Sequence, residues 1–292
     1  MFDRKLDAAT ATAARFTLDN GLTVSAASVD DDMVTLTTSA ITQGVTYTVT
    51  VSPQVTDRLG TGVATPNTAT FQYLQLAVLS LNEINPNVAS SRDLIELLAL
   101  TSGNVLGLTV VQRGNANETL VTLPDLLVAA GDLLVVHMSP SGAPGVAAAS
   151  ETVSKNQHPA ATFSANYDGA WDILGGATGL TFGNRVIEVR APGAAVAQDV
   201  VPVVVSNAAS PLGAFPGLLR GLQTASMWFP ANCGGAPCTY LTTPTAVEIS
   251  VDYLGCGTTA TGNSIARNIG GFSSIKADWD AAAAHSWGLP NP

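Results

Sequence analysis

The sequence predicts an all-β protein made of two β-sandwiches in tandem, the second with long loop insertions. Charged residues supply only 12% of the 292 positions, about half the usual share, and Thr, Ser, Ala, Val and Gly take their place. That composition suits half-buried strands joined by small-residue turns. Short runs of alternating apolar and polar residues recur along the whole chain, punctuated by Gly, Pro, Asn and Asp. Helical patterning is confined to residues 216–227 and 275–284.

The first unit spans residues 1–73. Residues 16–24 alternate around Asn20-Gly21, which reads as a hairpin turn. An acidic turn, Asp30-Asp31-Asp32, separates this run from the alternating strand 33–38. Residues 44–51 form a longer alternating strand, Asp57-Arg58-Leu59-Gly60 a turn, and 68–72 a last short strand. The second unit spans residues 74–292. Strands are predicted at 78–84, 93–100, 106–112, 118–123, 133–137, 185–190 and 195–205, with Asn85-Pro86-Asn87 and the stretch before Gly131 as turns. Residues 139–166 and 206–243 are rich in Ser, Ala, Pro and Gly and read as inserted loops. Almost no linker separates the units, since residue 72 ends one strand and residue 76 starts the next segment.

Two resemblances follow from particular residues. Leu6-Asp7-Ala8-Ala9-Thr10, Phe16-Thr17-Leu18, the strand from Val34, the strand 44–51 and Val55-Thr56-Asp57-Arg58-Leu59-Gly60 resemble a bacterial Ig-like domain of the S-layer and surface-protein type. That family carries several residues before the equivalent of Phe2, so the N-terminal strand reads as truncated. Asn82-Glu83-Ile84-Asn85-Pro86, Asp93-Leu94-Ile95-Glu96-Leu97, Ser264-Ile265-Ala266-Arg267, Ala277-Asp278-Trp279 and Gly288-Leu289-Pro290-Asn291 resemble the two ends of a lamin-tail domain. Ala130 stands where that family often has proline. Both resemblances imply immunoglobulin-like sandwiches. The second implies a domain with no known catalytic centre.

Charge narrows the partners. The net charge is −10, and three lysines and nine arginines are scattered without a cluster. Phosphate contacts supply most nucleic-acid affinity, so nucleic acid is not an expected partner. The apolar run 126–136 is interrupted by Asp132 and is too short to span a bilayer, so no membrane insertion is expected. No signal peptide is recognisable, and the chain starts inside strand-like sequence. Cys233 and Cys238 flank Gly-Gly-Ala-Pro, a loop that can fold back to disulfide distance, as suits an exported protein. Free thiols, or half a zinc site needing Cys256 and a distant histidine, are the alternatives. Cys256 reads as a buried free thiol.

Catalytic constellations are missing. His137 ends an apolar strand and reads as structural, His158 as a solvated loop residue, and His285 as packing beside Ser286. No nucleophile elbow, histidine pair or phosphate loop is present. Asp30, Asp31 and Asp32 are calcium candidates or else a solvated turn. Glu83, Asp93 and Glu96 are the remaining acidic candidates, but Asp93 and Glu96 point to opposite faces of a strand and form no tight pair. Trp171, Trp279 and Trp287 are expected in or beside the core, whereas Trp228-Phe229 in the second insertion is a candidate ligand contact. The sequence thus predicts a non-catalytic structural or adhesive module of an exported bacterial surface protein, extracellular and without a cofactor. Its expected partner is a surface protein or polysaccharide. Alternatives are a dedicated polysaccharide- or protein-binding module, or an accessory domain of a larger hydrolase.

Overall fold

The computed structural model describes residues 2–89, 93–138, 149–158, 167–205, 213–229, 249–268, 270–271 and 274–291. They divide into two units, Met1–Gln75 and Leu76–Pro292. The architecture is almost wholly β.

In the first unit, β1 (Phe16–Leu18), β4 (Thr46–Val51) and β5 (Thr68–Gln72) form one sheet with β4 in the middle, and β2 (Val24–Asp30) pairs with β3 (Met33–Thr38) in another. Asn20 and Gly21 have φ of 50° and 76°, so the expected left-handed turn forms. It does not close a hairpin, because β1 pairs with β4 while β2 pairs with β3. The reason is local. Asp19 accepts the Thr48 N–H at 2.7 Å, tying the turn to β4 and sending the chain on to the other sheet. Leu6, Ala11, Phe16 and Val55 form a small buried core, with Val34, Leu36 and Val51 packed against it.

The acidic run is the two-residue turn between β2 and β3, with Asp31 at φ 51°. Lys5 Nζ and Arg58 Nη2 reach its two carboxylate oxygens at 2.8 and 2.7 Å. These cations, Lys5 foremost, hold its carboxyl below the usual range. Within the run Asp30-Asp31-Asp32, the central carboxylate thus has its counter-charges from the chain itself. Asp57 serves the next turn by accepting the N–H groups of Leu59 and Thr61 at 2.9 and 2.8 Å.

The second unit is a sandwich of two larger sheets. One runs β13 (Trp171–Leu174), β12 (Leu133–His137), β7 (Leu94–Ala99), β6 (Leu79–Asn85), β17 (Ser264–Arg267), β18 (Trp279–Ala283). The other runs β10 (Asn117–Thr122), β9 (Thr109–Arg113), β14 (Arg185–Arg190), β15 (Asp199–Val204), β16 (Val251–Asp252). A small ladder of β8 (Gly103–Asn104) and β11 (Leu127–Val128) sits at one end. Leu81, Ile84, Ile95, Leu97, Leu134 and Val136 of the first sheet join valines of the second in one core. Every residue of β6 and β12 is buried, so these strands are covered on both faces.

One expectation fails in this unit. Residues 275–284 are not a helix: a 3-10 turn at Lys276–Asp278 leads into β18, which pairs with β17. The alanine run has helix propensity, but sheet pairing overrides so weak a preference. The helix expected at residues 216–227 does form within the second insertion, as α1 (Phe215–Thr224), whose Phe215, Leu219 and Leu222 enter the main core. Trp228 follows it, fully buried, with its indole N–H donated to Ile249 O at 3.0 Å. Phe229 is half-buried, and its N–H bonds to Ser274 O at 2.7 Å. The ligand-contact reading of Trp228 is thus corrected, because an indole sealed in the core offers no surface. Cys233 and Cys238 lie outside the described residues.

Replacing Trp228 by alanine is predicted to destabilise the second unit by roughly 3–5 kcal/mol, the usual cost of emptying an indole-sized site. Denaturant unfolding followed in that unit measures it. A loss within about 0.5 kcal/mol would mean the residue behaves like a surface position.

Candidate functional site

The polar residues of β6 and β7 do not face water. Glu83 stands directly opposite Glu96 in the antiparallel register, and the slip between Leu81 and Glu83 makes Asn82 the bulged residue. Such directly opposed positions bring Cβ atoms to within about 5 Å. Both glutamates have 0% exposure. On the same face lie Leu94, Leu133 and Val135, with Ala170 and Trp287 packed over them.

What covers the glutamates is the C-terminal tail. Ser286 donates its N–H to both Glu83 oxygens at 3.2 and 3.1 Å and its hydroxyl to Oε2 at 2.9 Å, while the Ser264 hydroxyl bonds Oε1. Glu96 accepts the Gly288 N–H at 2.6 Å on Oε2 and the Asn82 amide at 2.6 Å on Oε1. Asn291 closes the tail by donating to the carbonyls of Asn82 and Arg267 at 3.0 and 2.8 Å. Trp287 donates its indole N–H to Ala260 O at 2.9 Å. Gly288 has φ 74°, and a methyl group on the facing Gly169 would overlap the Gly288 carbonyl. Glycine at both positions is what lets the tail pass this close.

Electrostatics distinguish this pair from the other buried glutamate. Glu188 is flanked by Arg113 and Arg190, each at 2.6 Å. Arg267, the cation nearest the Glu83 sheet position, instead bonds the Leu81 and Gly271 carbonyls and Asp199, and lies 4.6 Å from the Trp279 ring centre. Burial pushes Glu96 up to about 8, with the Glu83 charge adding to it, against the Asn82 and Gly288 donors. Burial raises Glu83 as well, and the Ser264 and Ser286 donors oppose it. Asp93, on the other side of the strand, is pushed by burial up to about 7.

Along the same sheet, His137 Nε2 lies 2.6 Å from Asp172 Oδ1, both buried. Asp172 also accepts the Tyr167 N–H at 2.8 Å and donates its own N–H to Glu151 at 3.0 Å. The ring of Tyr167 stacks on His137 with centroids 5.8 Å apart. His158 donates its N–H to Glu151 at 3.4 Å, which keeps it at the margin of this group, and His285 is half-buried beside the tail. Trp279 and Trp287 are buried, and Trp171 is half-buried with its N–H on Asp132. Cys256 is a buried free thiol, pushed by burial up to about 12. Among the described residues no three His, Cys, Asp or Glu side chains converge in a metal-holding group.

The arrangement therefore brings Glu83 and Glu96 together, holds Asp93 apart on the opposite face, and joins them to Asn82, Ser264, Ser286, Gly288 and Asn291. Sequence reasoning compared Glu96 with Asp93 within one strand and missed its partner across the ladder. The available signal was an acidic residue in each of two adjacent strands that are otherwise free of charge.

A family model described as a bacterial Ig-like domain matches residues 1–73, and one described only as a protein second domain matches residues 77–207. No curated protein and no solved structure matches the chain. The chain thus carries a bacterial Ig-like domain at its N-terminal end, followed by a second domain. The second match takes in Glu83, Glu96, His137 and Asp172 and ends before the tail that covers them.

Gly169→Ala is predicted to lift the tail from its seat and to destabilise the second unit by about 1–3 kcal/mol, the range for overpacking a close contact. Thermal unfolding compared with Gly183→Ala, a position without a left-handed φ where an added methyl makes only an ordinary 3.6 Å contact with Thr181, separates the clash from a general glycine effect.

Proposed function

We propose that the chain is a non-catalytic structural or adhesive module of an exported bacterial surface protein, its second domain of the lamin-tail type. The observation that carries this reading is the use of the buried acidic pair. Every oxygen of Glu83 and Glu96 accepts a hydrogen bond from the chain itself, and neither side chain meets solvent. A catalytic carboxylate has to reach a substrate proton, whereas these hold the segment at Ser286 and Gly288 in place. The match of residues 1–73 to a bacterial Ig-like domain supports a structural or surface role. The motif residues that resemble a lamin-tail domain are those of the clasp: Asn82, Glu83, Glu96, Ser264, Arg267, Gly288 and Asn291. A surface protein or polysaccharide is the partner class, contacted by exposed loops, which is where binding residues gather on such scaffolds. The acidic net charge of −10 disfavours nucleic acid.

The purified chain is predicted to show no turnover on ester, phosphate or glycoside substrates. Robust turnover abolished by substituting His137, His158 or His285 would contradict the reading.

Export adds a redox expectation. Cys233 and Cys238 are predicted to form a disulfide, worth on the order of 2 kcal/mol for so short a loop. Non-reducing peptide mapping should recover them as one linked peptide. Cys256 should stay unlabelled by iodoacetamide until the protein is denatured, since its thiol is buried and held neutral. Two free thiols at 233 and 238 in the oxidised protein would remove this support for export.

A further inference from the structure

Glu83 and Glu96 face each other across the ladder, and among the described residues no lysine or arginine pairs with either. Their hydrogen-bond partners are neutral donors, of which the tail supplies the N–H groups of Ser286 and Gly288 and the Ser286 hydroxyl. The tail is also what keeps water out. Lifting residues 286–291 hydrates both carboxylates at once, without breaking a rung of the ladder between β6 and β7. Two buried like charges with no counter-ion are costly, and that cost disappears when the cover opens.

We propose that residues 286–291 form a pH-dependent strap, closed over Glu83 and Glu96 when the pair is protonated and opening as it ionises. The side chains facing the pair are Ser264 of β17, Asn82 of β6, and Ser286 and Asn291 of the tail, with His137, Asp172 and Tyr167 further along the sheet. Asp280 of β18 is exposed, and Arg267 is engaged with Asp199. Of the neighbouring groups, His285 favours the ionised form of Glu83.

The sign follows from the raised carboxyls. A carboxyl whose pKa is higher with the strap closed than with it open stabilises closure fully below the ordinary value of 4.5, and loses that contribution as the pH rises to about 8. Between those limits each proton released favours opening by up to about tenfold per pH unit.

Amide hydrogen exchange of the full chain, read by NMR from pH 5 to pH 8 and corrected for intrinsic base catalysis, tests the strap. Protection of the Ser286 and Gly288 amides is expected to fall on the order of a hundredfold over that range. At each pH these amides should exchange faster than that of Ile265, because the strap opens without unfolding the sandwich. Amides of β4 in the first unit should show no such fall. Glu96→Gln keeps an oxygen for the Gly288 N–H but carries no charge, and should flatten the dependence, whereas His285→Gln should leave it in place. Protection at 286 and 288 that is constant or rises with pH overturns the proposal. So does exchange at the same rate as Ile265 throughout, or an unchanged pH dependence in a folded Glu96→Gln chain. The wild-type profile decides alone if that variant does not fold.

Discussion

Two glutamate carboxyl groups buried opposite each other, with no lysine or arginine paired to them among the described residues, are the constraint on which the second domain depends. Moving a carboxylate out of water costs several kcal/mol even after the surroundings relax. The chain offsets that cost with donors drawn from distant places in the sequence: Asn82 in β6, Ser264 in β17, and Ser286 and Gly288 in the tail. Each donor fixes the element that carries it. The C-terminal tail is therefore part of the fold, set against β6 and β7 by bonds that span about two hundred residues of chain.

The two domains handle charge differently. In the first, the exposed Asp31 takes two cations at one turn and the buried Asp57 takes backbone N–H groups at the next, and both carboxyls are held low. Exposed pairs like those of Asp31 contribute little to stability. In the second, Glu188 lies between two arginines, whereas the hydrogen-bond partners of Glu83 and Glu96 are neutral donors. Only this last arrangement couples the position of a chain segment to protonation.

Strand positions were legible wherever alternation was clear. Residues 33–38, 68–72, 133–137 and 185–190 were read as strands, and β3, β5, β12 and β14 occupy those positions. Strand partners were less legible. The Asn20-Gly21 turn looks like a hairpin locally, yet its strands pair elsewhere because Asp19 bonds β4. The alanine run after Asp280 carries a helical preference that pairing with β17 overrides. The clasp shows the same limit. Alternation marks Glu96 as facing away from Ile95 and Leu97, but it puts Glu83 on the face of Leu79 and Leu81, and only the bulge at Asn82 turns it to face Glu96. That a tail about two hundred residues later covers them is a long-range fact with no local signature. Trp228 was misjudged for the same reason: the helix before it was legible, but not that this helix and the indole after it enter the core.

If the clasp holds the second domain together, removing the tail is the most direct trial. The chain shortened after His285 loses the Ser286, Gly288 and Asn291 bonds and the Trp287 packing together. At pH 5, where the closed form is favoured, its second domain is predicted to lose roughly 3 kcal/mol or more, the cost of deleting one buried indole alone. The first domain should unfold as before. An unchanged unfolding transition in the second domain would contradict the account, because the buried carboxylates would then need no cover.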